Sequence, residues 1–92
     1  MQNDMTYQGT QTLNQIILRV SKADSSFVYF ILESNEGICF YSTLESSLKE
    51  TYRDMSVRFT PEFKTDVERI LNLLSKKFDI QILEESEIKD SL

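Results

Sequence analysis

The sequence predicts an α+β sandwich in the order βαββαβ, with two helices on one face of a four-stranded antiparallel sheet. Three observations lead there. Phe63, Val67, Ile70, Leu71, Leu74 and Phe78 recur at spacings of three and four, forming the apolar stripe of an amphipathic helix. Two segments alternate as half-buried strands do: TLNQIILRV at residues 12–20, and MSVRFT at 55–60. Between them, FVYFIL at residues 27–32 is bounded by Asp24-Ser25-Ser26 before it and Gly37 after it.

The elements follow in chain order. Residues 1–11 are polar and aperiodic and read as a tail. In the first strand Ile16, Leu18 and Val20 share one face, and Gln15, Ile17 and Arg19 the other. FVYFIL is ambiguous: its aromatic and β-branched content suits a strand, whereas Asp24-Ser25-Ser26 suits a helix N-cap and Gly37 a left-handed helix end. A hairpin over residues 27–44 is the alternative. Topology decides for a helix near 24–35, because only then do two helices cover the sheet, as in the ferredoxin-like split βαβ unit. Ile38 to Leu44 supplies the next strand, and ESSLKETYRD a polar connection. The second helix, near 61–77, opens with Thr60-Pro61-Glu62 and ends on Lys76-Lys77, each suited to its end of the dipole. Ile80 and Ile82 begin a short final strand, and residues 86–92 read as an acidic tail behind a single domain at 12–85. The expected core joins the second-helix stripe to Phe30 and Ile31.

Composition narrows the function. The 92 residues carry a net charge of −5, with the basic residues scattered, so neither nucleic acid nor an anionic membrane is the expected partner. One cysteine, no basic or apolar leader and no apolar run long enough to span a bilayer imply a cytoplasmic setting. With no histidine, histidine-based acid–base catalysis and His-assisted serine or cysteine nucleophiles are excluded. A lone Cys39 leaves no transition-metal cluster, and two glycines make no phosphate loop. No cofactor or metal is therefore expected, nor an enzyme.

The segment Asp24, Phe30-Ile31-Leu32-Glu33, Gly37 and Thr43-Leu44-Glu45 resembles the pattern D-x5-FILE-x3-G-x5-T-h-D of a small uncharacterised bacterial family. The likeness covers roughly residues 16–78; Ser25 and Glu45 depart from it, standing where that family has an aliphatic residue and an aspartate. The resemblance implies a helix before Gly37 and no activity. Its layout is similar to that of ACT-type regulatory domains, which bind small ligands near the first strand–helix loop.

Two function classes follow. One is a non-catalytic interaction or assembly domain, self-associating as a homodimer through the sheet face away from the helices. Ile17, Arg19, Tyr41 and Leu83 are its candidate interface residues, provided that Phe40 faces the helices. The alternative is an ACT-like regulatory domain binding a small metabolite at Asp24, Ser25 and Ser26. Glu33 and Cys39 read first as structural, the latter as a small apolar filler.

Overall fold

The computed structural model describes residues 10–35 and 37–91, and its elements follow the order βαββαβ. β1 (Thr10–Ser21), α1 (Lys22–Glu33), β2 (Phe40–Thr43), β3 (Tyr52–Phe59), α2 (Lys64–Lys77) and β4 (Gln81–Ser91) are joined by loops that hold 3-10 turns at Glu45–Ser47 and Pro61–Phe63. The strands form one antiparallel sheet in the order β2-β3-β1-β4. This is the expected ferredoxin-like arrangement, and residues 27–32 belong to a helix, not a hairpin. No helix among the described residues is long and apolar enough to cross a membrane.

The helix–strand ambiguity resolves in its local chemistry. The N-cap is Ser21, at the end of β1, whose Oγ accepts the Asp24 amide at 3.1 Å. Asp24-Ser25-Ser26 thus lies inside the helix and is not the cap. Six consecutive apolar residues on a helix point all round it, and the sheet covers only one side. Val28 and Leu32 are buried and Ile31 is half-buried, but Phe30, expected in the core, is 72% exposed. The helix ends on side chains rather than on a left-handed glycine. Ser34 Oγ donates to the Phe30 carbonyl and Asn35 Nδ2 to the Ile31 carbonyl, both at 2.8 Å. Gly37 keeps an ordinary backbone, and a Cβ there would meet nothing within 4 Å.

The core lies between the helices and one sheet face. Leu18 pairs with Met55 and Ile16 with Val57, so the central strands present matched apolar rows. Against them pack Val28, Leu32, Cys39, Val67, Ile70, Leu71 and Leu74, all buried. Phe63 is half-buried at the margin. The polar connection before β3 is held by two side chains. Buried Ser47 donates to the Leu44 carbonyl at 2.9 Å and accepts the Asp54 amide at 3.0 Å. Arg53 Nη1 donates to the carbonyls of Ser47, Glu50 and Tyr52. These bonds let β3 begin at Tyr52, three residues before the alternation becomes legible.

β4 is the largest difference from expectation. It runs through most of the supposed acidic tail, pairing from Gln81 to Ser91 with β1. Thr10–Leu13 pair only with β4, so the two strands continue as a ribbon past the end of β3. Leu83 is the extra residue of a bulge opposite Ile17/Leu18. Glutamates on this edge discourage a further strand from adding there. Of the expected N-terminal tail, Thr10 and Gln11 are in β1, and residues 1–9 lie outside the described residues.

Burial sets a contrast between two apolar side chains. Leu74→Ala, removing a fully buried side chain, should cost roughly 2–5 kcal/mol by denaturant unfolding, and Phe30→Ala only about 0.5 kcal/mol or less. Equal losses would contradict the packing of α1.

Candidate functional site

The first strand–helix junction is occupied by its own helix. Ser25 is buried and its hydroxyl donates to the Lys22 carbonyl at 2.8 Å. The Asp24 amide is bonded to Ser21. Of the three candidate residues, Ser26 alone is exposed. Beside the junction lies a cleft of about 180 Å³ lined by Arg19, Val20, Ser21, Tyr52, Asp79 and Gln81.

Arg19 links that cleft to the open sheet face. The strand register puts it opposite Asp54, and Nε and Nη2 bond the two carboxylate oxygens at 2.7 and 2.9 Å. The guanidinium also lies 3.8 Å from the centre of the Tyr52 ring. Next along the face, Ile17 is half-buried opposite Ser56, and Arg58 Nε donates to Gln15 Oε1 at 2.8 Å. Tyr41 is not on this face. It pairs in register with Val57 and so points to the helices, while Phe40 points away and is 72% exposed. The expected phase was reversed: Cys39 and Tyr41 lie on the helical side and Phe40 on the open face, and a run of consecutive apolar residues from Ile38 to Tyr41 has no readable alternation of its own. Leu83, on its bulge, is exposed at the opposite edge.

Under α1, Tyr41 stacks on Tyr29 with ring centroids 5.5 Å apart, and the Tyr29 hydroxyl hydrogen-bonds Thr43 Oγ1. Burial raises the Tyr41 hydroxyl above the ordinary phenol value, with the Glu33 carboxylate and Tyr29 adding to it. Burial likewise raises the Cys39 thiol. Both shifts favour the neutral form, the opposite of what an activated nucleophile needs. Among the described residues no three metal-ligating side chains gather.

Further clefts lie on the helical side. Two run between α2 and β4, lined in part by Ile16, Glu68 and Glu85, one of them adding Lys64 and Glu87. Another, of about 370 Å³, lies between α1 and α2 and is lined by Ile31, Ile70, Leu73 and Leu74 with Asn35, Arg69 and Lys77. No spacing rule reveals it in sequence, because two helices far apart in the chain contribute. The only hint is Leu73, an apolar residue off the buried stripe.

Comparison with known proteins supports the fold. No family model and no curated protein matches the chain. Among solved structures it is similar to CPII, a nitrogen regulatory PII-like protein from Thiomonas intermedia K12, bound to ADP, AMP and bicarbonate. The TM-score is 0.56 at 8% identity, covering 90% of this chain and 94% of that one. At this identity the likeness is one of fold.

The raised acidities set a pH dependence. In the unfolded chain the thiol and phenol ionise near their ordinary values, about 8.5 and 10; in the folded chain they ionise later. Stability from these groups is therefore complete at neutral pH and falls as pH rises through that range. Denaturant unfolding between pH 7 and 11 should show the fall, and Cys39→Ala with Tyr41→Phe should reduce it. An unchanged slope in the double variant would assign the alkaline loss elsewhere.

Proposed function

We propose that this chain is a small non-catalytic regulatory domain that binds a small metabolite and pairs with a second copy through its open sheet face. The observation supporting the regulatory reading is the likeness over nearly the whole of both chains to a PII-like nitrogen regulatory protein bound to ADP, AMP and bicarbonate. The neutral-shifted Cys39 and Tyr41 fit a fold used for binding rather than for chemistry.

The open face suits self-association. Phe40 and Ile17 offer apolar area, and Arg19 and Asp54 neutralise one another, so covering the face buries no net charge from that pair. A two-fold interface needs only such a self-complementary patch. Arg19 then serves two purposes, as part of the interface and as a wall of the cleft near the first strand–helix junction.

Thermal unfolding with ADP, AMP, bicarbonate and a wider metabolite panel, together with solution mass over a concentration range, tests this. A ligand at about a hundred times its Kd should stabilise the fold by roughly 2.7 kcal/mol. The particle should have twice the 10.8 kDa chain mass, and Ile17→Lys with Phe40→Lys should return a folded monomer. A wild type that is monomeric throughout and stabilised by no compound would refute the reading.

A further inference from the structure

The cleft between the helices differs in charge from the other clefts on this molecule. Those beside α2 and β4 are lined by Glu68 and Glu85, with Glu87 in one, and the cleft at the first junction by Asp79. The inter-helix cleft has Arg69 and Lys77 in its lining and no carboxylate. In a chain of net charge −5 this is a local reversal of sign.

Its geometry follows from α2. Arg69, Leu73 and Lys77 stand four residues apart, in one row on one helix face. The two cationic residues therefore stand one turn before and one turn after Leu73, across about 12 Å of helix. Leu73 is 55% exposed, so the apolar surface between the charges is uncovered. Ile31 provides the facing wall from α1. Arg69 is paired with Asp66 at 3.1 Å in an exposed i,i+3 contact, which an incoming anion displaces at little cost. Lys77 forms no ion pair among the described residues. At about 370 Å³ the cleft lies within the roughly 300–1,000 Å³ range of small-molecule sites.

We propose that this cleft binds a small anion with an apolar body, an aryl or acyl carboxylate, phosphate or sulfonate. The body lies on Leu73 and Ile31, and the acid group is held by Arg69 and Lys77. The inference rests on the reading of the chain as a ligand-binding domain and gives that ligand a place and a chemical class. Neutral apolar molecules lack the charge term, and plain anions lack the apolar one, so a molecule with both binds more tightly than either.

The probe is 1-anilinonaphthalene-8-sulfonate, an aromatic body carrying one sulfonate, with N-phenyl-1-naphthylamine as its uncharged counterpart. The sulfonate dye should bind with one site per chain. Arg69→Gln with Lys77→Gln should weaken it by roughly tenfold or more, the loss of a charge-assisted contact, while leaving the uncharged dye unchanged. Leu73→Asp should abolish binding of both dyes. All three positions are exposed, and circular dichroism and melting temperature check that the variants fold. No binding of the sulfonate dye, or binding indifferent to these substitutions, overturns the proposal. If the dye maps here but no metabolite stabilises the protein, the site stands and the regulatory reading falls. If a metabolite stabilises Leu73→Asp as well as the wild type, the reading stands and the site is elsewhere.

Discussion

The pairing of β1 with β3 is the constraint on which the rest of the molecule depends. Leu18 against Met55 and Ile16 against Val57 make the one continuous apolar surface to which both helices attach. A slip of one residue would exchange Ile16, Leu18 and Val20 for Gln15, Ile17 and Arg19 on the helical side. The register is therefore fixed by core burial, and the opposite face inherits its contents as a consequence. Arg19 meets Asp54 there because Leu18 meets Met55 one residue away. The open face is thus ordered by the same pairing that builds the core, although it contributes little to that core.

The fold was legible where burial is one-sided. β1 and α2 each have one buried side, and their periods show it. α1 was harder, since Phe27 to Leu32 are all apolar and only the topology chose between helix and strand. Its faces were not legible: Phe30 and Val28 are equally apolar in sequence, and only the position of the sheet buries one and exposes the other. The length of β4 beyond its first residues was not legible for a related reason. Past Leu83 it is rich in glutamate, and its strand conformation comes from hydrogen bonding to β1 rather than from any apolar face of its own. Tertiary pairing overrides local propensity in such a segment.

The candidate sites were less legible than the fold. Asp24, Ser25 and Ser26 have the composition of a cap or an anion site, yet Ser21 does the capping and Ser25 turns inward. Tyr41 was not legible because Ile38, Cys39, Phe40 and Tyr41 are all apolar or aromatic, and only the pairing with β3 decides that Cys39 and Tyr41 turn to the helices and Phe40 away. Ile17 and Arg19 were placed correctly on the open face because β1 is regular over that stretch. The inter-helix cleft had no sequence signature, since Ile31 and Leu73 are far apart in the chain and meet only once the sheet has brought the helices together.

Charge is distributed in keeping with this division of surfaces. Glu84, Glu85 and Glu87 lie on the β4 edge, where repulsion keeps an exposed strand from pairing further. Arg19 and Asp54 cancel on the open face, leaving it suited to contact with a like surface. Arg69 and Lys77 remain on the helical side, which is also where Leu73 is exposed. A net acidic chain can still present the opposite sign locally, because at physiological salt a charge is felt over only about 8 Å. An anion approaching the helical layer is therefore governed by the two nearby cations more than by the overall charge, and the apolar surface between them selects which anions remain bound.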